Sequence, residues 1–327
     1  MTWVDVFLTE DQCDVRDMVH EWRESLTPIN TDDDADAVEA ARAGMVELGV
    51  WSIGMPETLG GGGAALDLLL VALAGVAGRS AALAWACAQA HAAAEVLADA
   101  PGSGDLPARI ASGEQAVAVV DRASAASRIT IDEGRVSGSF DRVDAAAANP
   151  ALLILDTGGT AWLLDADALR LSQPHRRTGF AGARTSLAQI DGTAVRIEAV
   201  DVAGVKSRLR LAGAAIAAGV ALDAAGLAAD YASSRVQFGA PLTSLPTVRS
   251  SLENQRRLAA ESLTVAVGDD GSSLGRAAAT LTGNLSKAVD VASAALQSHG
   301  GYGYIEEYGT ARLLRDTVSL RGAVAVL

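Results

Sequence analysis

Cysteine, aromatic side chains and positive charge are all scarce in this chain of 327 residues. Its cysteines, Cys13 and Cys87, lie far apart and form no Cys-x-x-Cys pattern, so we expect neither a zinc site nor a disulfide framework. The 26 lysine and arginine residues are outnumbered by 40 aspartate and glutamate residues, which gives a formal charge of -14. This charge disfavours nucleic acid and anionic membrane surfaces as partners.

Long apolar runs are missing as well, although hydrophobic residues make up 50% of the chain. No run reaches the roughly 18 to 20 uncharged residues of a membrane span. The first residues, Met1 to Asp5, lack the basic region of a signal peptide. We therefore expect an acidic cytoplasmic protein, long enough for two or three domains and a large core.

The first third of the chain has a helical pattern. From Glu10 to about Ala100, apolar residues recur at helical spacing, which predicts an N-terminal helical domain over residues 1–114. Breaks are expected at Pro28 and at the glycine run from Gly60 to Gly63. Consecutive carboxylates in a polar stretch are usually solvated, so we assign no function to an acidic patch in this region. The patch consists of Asp32, Asp33, Asp34 and Asp36.

The middle of the chain changes to short runs of valine, isoleucine and leucine separated by glycine and aspartate. This pattern predicts a small β domain over residues 115–203. The strand candidates are Val117 to Val120, Ser127 to Ile131, Arg135 to Phe140, Leu152 to Leu155, Ala161 to Leu164 and Val195 to Val202.

Long helical patterns return in residues 204–327, and their many alanine, glycine and serine residues predict close packing in a four-helix-bundle-like domain. The predicted helices run over about Ser207 to Ser234, Leu245 to Val267, Ser273 to His299, and from Thr310 onward.

Two glycine-containing motifs lie at the ends of these helices. Gln297-Ser-His-Gly-Gly-Tyr-Gly-Tyr ends a long apolar helix in a turn. The missing Cβ atoms of Gly300, Gly301 and Gly303 permit positive φ angles and let a flat or anionic ligand approach the backbone. Upstream, Arg235-Val-Gln-Phe-Gly closes another helix.

This ordered pair, with Arg315-Asp316 after it, resembles the two C-terminal motifs of the acyl-CoA dehydrogenases. The helix, β, helix order resembles the architecture of the same family over most of the chain. The resemblance implies a mostly α fold with a central β-barrel-like domain, placed between an N-terminal helical domain and a C-terminal helix bundle.

The resemblance also implies FAD as cofactor. Family members oxidise an acyl-CoA thioester: a carboxylate removes the α-proton, and the β-hydrogen leaves as hydride to the flavin. The FAD lies between two subunits, with the flavin on the middle domain of one and the adenosine and pyrophosphate on the C-terminal helices of the other. Arg235 would contact the pyrophosphate, because a planar guanidinium matches phosphate oxygens. The full set of implied FAD-binding residues is Arg235, Gln237, Phe238, Gly239, Gln297, Gly300, Gly301 and Gly303.

Two parts of the family site are missing from this chain. At the position of the flavin-side Thr-Glu-Pro-x-x-Gly-Ser-Asp motif it reads Val119 to Ala126, and Phe140 to Asp144 replaces a Trp-Ile-Thr segment. The two family positions for the catalytic base fall on Leu209 and Val324, which cannot accept a proton. The chain thus keeps the half-site that reaches across an interface and lacks the half that holds the flavin.

That asymmetry resembles the short non-catalytic subunit of the α2β2 acyl-CoA dehydrogenases of actinobacterial steroid degradation. In this interpretation a full-length catalytic paralogue supplies the base and flavin pocket and binds most of the acyl-CoA, and an electron-transfer flavoprotein is a further expected partner. One alternative is a homomeric dehydrogenase with a relocated base, for which Glu198, Glu306 and Glu307 are candidates. Another is a non-enzymatic scaffold of the same fold. No metal ligands are predicted, and we assign no proton transfer to His299.

Overall fold

The computed structural model describes residues 8–26, 29 and 34–327. Within these ranges the N-terminal third is helical, as predicted. The first helix begins with a capping box, in which the Thr9 hydroxyl accepts from the Gln12 backbone and the Gln12 amide accepts from the Thr9 backbone. The helices are α1 (Glu10–Glu24), α2 (Ala35–Glu47), α3 (Leu66–Ala77), α4 (Ala81–Leu97) and α5 (Leu106–Ala111). Three features discussed above lie outside the described residues, namely Met1 to Asp5, Pro28 and the pair Asp32 and Asp33.

The middle of the chain forms two four-stranded sheets in the described part of the structure. One has the order β1-β4-β5-β8 and the other β2-β3-β7-β6, and every pairing except β1 with β4 is antiparallel. Side chains from both sheets, including Val120, Phe140 and Ile154, form a common core. The strands are β1 (Val117–Asp121), β2 (Ser127–Asp132), β3 (Arg135–Val143), β4 (Ala151–Asp156), β5 (Thr160–Leu164), β6 (Leu169–Leu171), β7 (Ser186–Thr193) and β8 (Val195–Ile197).

Two of the strand predictions need correction. The short β6 and the longer β7 were not predicted, although β7 lies between β3 and β6 in its sheet. The buried positions of β7 include the small residues Ser186 and Ala188, so the alternation of apolar and polar residues is weak in its sequence. The predicted strand from Val195 to Val202 is wrong beyond Ile197, because Asp201 caps the next helix by accepting from the Gly204 backbone at 3.0 Å.

The C-terminal part consists of long helices around a central apolar one. They are α6 (Val202–Ser234), α7 (Pro246–Val267), α8 (Leu274–His299) and α9 (Thr310–Val324), with the two-residue strands β9 (Val236–Gln237) and β10 (Ala240–Pro241) between α6 and α7. Helix α6 packs against α3, α4, α7, α8 and α9. A Cβ atom at Gly219 would collide with the carbonyl oxygen of Ala74, so this glycine allows α3 and α6 to touch.

Helix α6 is the one helix of the described chain that is long and apolar enough to cross a membrane, and an 18-residue window within it has a mean hydropathy of 1.8. Of that window, 89% is buried inside the protein, and Asp223 of the same helix forms a buried ion pair with Arg23 of α1. It is therefore the central core helix of the C-terminal part.

The order of helical, β and helical regions confirms the predicted fold class. The predicted domain boundary between residues 114 and 115 falls between α5 and β1. The predicted boundary between residues 203 and 204 falls within the first turn of α6. The division into residues 1–114, 115–203 and 204–327 stays a prediction.

Candidate functional site

The Arg235 motif follows directly after the end of a helix and forms a hairpin. Helix α6 ends at Ser234, and the Arg235 backbone is already extended while its N–H bonds the Tyr231 carbonyl at 2.9 Å. Strands β9 and β10 then pair around a two-residue turn of Phe238 and Gly239, with φ values of 54° and 82°. Positive φ at both turn residues is typical of the type I′ hairpin.

The hairpin presents apolar side chains to solvent. Phe238 is 94% exposed and Val236 is 58% exposed. The positive φ of Phe238 is a strained backbone conformation for this residue. Because the side chain is not buried in its own chain, no burial there offsets this strain. Exposed aromatic side chains of this kind mark surfaces that contact another molecule.

The second motif forms a turn directly after α8. Gly300 has φ 58° and ψ -134°, a combination that favours glycine. A Cβ atom at Gly303 would lie 2.6 Å from the Leu296 carbonyl oxygen, so the turn needs glycine there too. The Cβ positions of Gly300 and Gly301 face open space, and Gln297 is exposed. This backbone is accessible to a ligand or a partner.

An aromatic cluster joins the two motifs. It consists of Tyr231 in the last turn of α6, His299 at the end of α8, and Tyr302 and Tyr308 in the following turns. Tyr231 stacks on His299 with ring centroids 4.4 Å apart, and both contact Tyr308 at 5.8 Å. The Arg235 guanidinium lies over the Tyr302 ring, 5.4 Å from its centroid. The structure therefore brings both predicted motifs together on one surface.

The Arg235 side chain is available for an anion. Among the residues that the structure describes, no carboxylate or other acceptor bonds its guanidinium, and its Nε is buried without a hydrogen-bond partner. A planar cation with open donors, beside accessible glycine backbone, fits a pyrophosphate. The chemistry of this surface therefore fits the pyrophosphate group of FAD.

The flavin-side position at the end of β1 is different. Asp121 accepts a backbone bond from Ala123 at 3.0 Å and forms an ion pair with Lys206 in the first turns of α6. Arg122 is paired with Asp156 at 2.7 Å. The polar groups of this segment are thus engaged within the chain rather than open to a cofactor.

The end of β3 is closed by a buried polar network. Asp144 is paired with Arg142 at 2.5 Å and with Arg177 at 3.0 Å, and the Thr185 hydroxyl donates to it. Both arginines also donate to the carbonyl oxygen of Ser319 in α9, at 3.2 and 3.4 Å. This network, called the Asp144 network below, connects the β domain to the last helix.

Little space remains beside the Asp144 network. The Gln89 amide, from α4, bonds both the Asp144 carbonyl at 2.7 Å and the Val119 backbone N–H at 2.9 Å. Between β1, β3 and the end of α9 there is a cavity of about 10 Å³, which is room for one water molecule. The residues present here do not fit an isoalloxazine ring.

The two base positions lie in one part of the core. Leu209 is 1% exposed and Val324 is 6% exposed. Val324 packs on Gly213, one turn along α6 from Leu209, where an added Cβ atom would lie 2.8 Å from a Val324 methyl group. Both residues predicted to stand at base positions are therefore buried apolar side chains.

The candidate relocated bases are on the surface. Glu198 is exposed and pairs with Arg196 at 3.1 Å, while Glu306 and Glu307 are exposed in the turn before α9. None of the three lines the small cavity beside Asp144.

Sequence patterns did not reveal the Asp144 network or the aromatic cluster as units. Arg177 and Thr185 lie in a loop with no regular pattern, and their partners are 33 and 41 positions away in the sequence. The one available signal was the concentration of three of the four tyrosines after residue 300.

Comparisons with known proteins agree with the fold and with the C-terminal motifs. Residues 206–322, which contain both motifs, match the family model described as acyl-CoA dehydrogenase, C-terminal domain. A probable acyl-CoA dehydrogenase of Bacillus subtilis, YngJ, is 28% identical over 169 residues, which is 46% of this chain and 44% of the relative. The match thus spans less than half the length of that relative.

Solved structures cover nearly the whole chain. Glutaryl-CoA dehydrogenase from Mycobacterium smegmatis superposes with a TM-score of 0.84 at 14% identity, covering 97% of this chain and 92% of that one. Its structure in complex with FADH2 gives 0.81 at 16% identity, with the same coverage. A variant of the Tcur3481-Tcur3483 steroid ACAD gives 0.77 at 21% identity, covering 96% and 94%. The chain has the acyl-CoA dehydrogenase fold, and its residues 206–322 match the C-terminal domain of that family.

Proposed function

We propose that this chain is the non-catalytic subunit of a heteromeric FAD-dependent acyl-CoA dehydrogenase of the cytoplasm. A full-length catalytic paralogue supplies the flavin pocket and the base, and this chain completes the FAD site from across the interface. The observation that carries the proposal is the contrast between the two half-sites: the Arg235 guanidinium has open donors, whereas the segment at the sequence position of the flavin-side motif is engaged in the Asp144 network.

The residues of this chain then bind and orient rather than transfer protons. When bound, FAD supplies the hydride acceptor for desaturation of an acyl-CoA. The Arg235 guanidinium holds the pyrophosphate, and Gln237, Phe238 and Gly239 form the adjoining wall. Gln297, with the open backbone of Gly300 and Gly301, contacts the same cofactor, and the buried Gly303 shapes the turn that presents them.

The paralogue binds most of the acyl-CoA, and an electron-transfer flavoprotein takes the electrons onward. The likeness to a steroid ACAD supports a steroid-derived CoA ester as substrate. No observation favours a homomeric enzyme, since Glu198, Glu306 and Glu307 lie at the surface.

The test is Arg235→Ala in the complex with the paralogue. Mass spectrometry of the purified complex identifies the paralogue. Charge-assisted contacts contribute about 1.5 to 3 kcal/mol each, so FAD binding should weaken roughly ten- to a hundredfold while both subunits stay folded and associated. Arg235→Lys should restore only part of the loss, because it keeps the charge without the planar geometry.

The matched control is Arg170→Ala, which removes an exposed arginine of β6 in the β domain. It should leave the flavin-to-protein ratio unchanged. A complex that keeps its FAD after Arg235→Ala contradicts the proposed role of this chain.

A further inference from the structure

We propose that Tyr302 is the positioning residue for Arg235, holding its guanidinium ready for the cofactor before the cofactor binds. This inference rests on the proposed function and concerns a residue outside the implied FAD-binding set. The guanidinium carbon lies 5.4 Å from the Tyr302 ring centroid. In the described part of the chain this ring is the partner that orients the charged end of Arg235.

The Tyr302 ring is itself held in place. It packs against Tyr308 at 5.6 Å and against Tyr231 at 6.3 Å. Tyr231 is anchored by its stack on His299, which is 3% exposed and bonded through Nδ1 to the Ala295 carbonyl at 2.8 Å. The ring below Arg235 is thus fixed to the ends of both α6 and α8.

An aromatic face suits this task better than a carboxylate does. A carboxylate would occupy the guanidinium N–H donors and neutralise the charge that a pyrophosphate must meet. A ring face attracts the cation through its quadrupole and leaves the in-plane donors open. Glu306 and Glu307 are close to Tyr302 in the sequence, yet neither forms an ion pair with Arg235.

The experiment compares Tyr302→Leu and Tyr302→Phe in the complex with the catalytic paralogue, with FAD affinity measured by flavin fluorescence. Leucine keeps apolar volume but has no π face, so we expect roughly two- to fivefold weaker FAD binding. Phenylalanine keeps the π face and should bind FAD like the unchanged complex. Equal effects of the two substitutions would overturn the proposal.

A double-mutant cycle with Arg235→Ala separates this inference from the function on which it rests. If Tyr302 acts through Arg235, Tyr302→Leu should have no further effect once Arg235 is alanine. An identical effect in both backgrounds overturns the positioning role alone. Unchanged FAD binding in Arg235→Ala itself overturns the proposed function, and with it this inference.

A second measurement uses the isolated chain and needs no partner. Stacking on Tyr302 should shift the side-chain NMR signals of Arg235 upfield through the ring current. Tyr302→Phe should keep that shift and Tyr302→Leu should abolish it, with circular dichroism confirming that each variant is folded. If the Arg235 signals of the unchanged chain show no upfield shift, the stacked geometry is contradicted.

Discussion

His91 shows how one buried side chain couples the N-terminal helices to pH. Its Nε2 accepts from the Gly54 backbone at 3.2 Å, and its Nδ1 lies 2.9 Å from the Cys87 carbonyl oxygen. This geometry requires the neutral imidazole with the proton on Nδ1. Burial lowers the pKa of His91 from 6.5 to about 4. The folded chain therefore resists protonation of this residue, whereas the unfolded chain does not.

We predict that the free energy of unfolding decreases as the pH falls from 6.5 towards 4. The contribution of His91 is fully present above pH 6.5, because both states are neutral there. Below that pH only the unfolded state takes up the proton. The free energy of unfolding then falls by up to about 1.4 kcal/mol for each pH unit. Chemical denaturation at pH 7, 6 and 5 measures this slope.

The control is His91→Gln, which removes the titrating group and keeps a polar side chain. The variant should be less stable than the unchanged chain at pH 7, with the difference shrinking as the pH falls. A constant difference across this range would contradict the assignment.

At the level of elements, the sequence was a good guide to long helices and to local motifs. Helices α7 and α8 begin within one residue of their predicted positions, because Pro246 and the Ser273 cap are local signals. Strand β7 was missed because its buried side depends on pairing with β3, and the hairpin after Ser234 depends on two turn residues with positive φ. Such features are set by contacts and backbone geometry rather than by periodicity.

The Asp144 network makes a prediction about how the elements are held together. Asp144→Asn removes the carboxylate that pairs with Arg142 and Arg177 in a largely buried site. Breaking a buried ionic network in this way should reduce the free energy of unfolding by about 3 to 5 kcal/mol. Chemical denaturation of the isolated chain measures the loss.

Asp191→Asn is the matched control, since it breaks the exposed pair of Asp191 with Arg135 on the same sheet, where both side chains are more than half exposed. It should cost about 0 to 1 kcal/mol. Similar losses for the two variants would show that the Asp144 network does not connect β3 to α9 as described.

For the whole molecule, the motifs predicted residues that the structure brings together on the Arg235 surface, but the sequence could not show that the segment at the flavin-side position is engaged in the Asp144 network. The predicted cofactor residues are brought together because each motif ends a helix of the same bundle. The closure near Asp144 could not be predicted, because it joins residues from β3, an irregular loop and α9. At the two predicted base positions the structure adds that the apolar side chains of Leu209 and Val324 are buried.

The most direct test is the flavin content of the isolated chain. The purified chain is incubated with excess FAD, dialysed, and examined for flavin absorbance and for bleaching by acyl-CoA. We predict a colourless protein with far less than stoichiometric FAD and no bleaching, because the described flavin-side segment is engaged within the chain and the cavity beside the Asp144 network has room for about one water molecule. A yellow protein with one FAD bound per chain and substrate-dependent bleaching would contradict the assignment of this chain as a non-catalytic subunit.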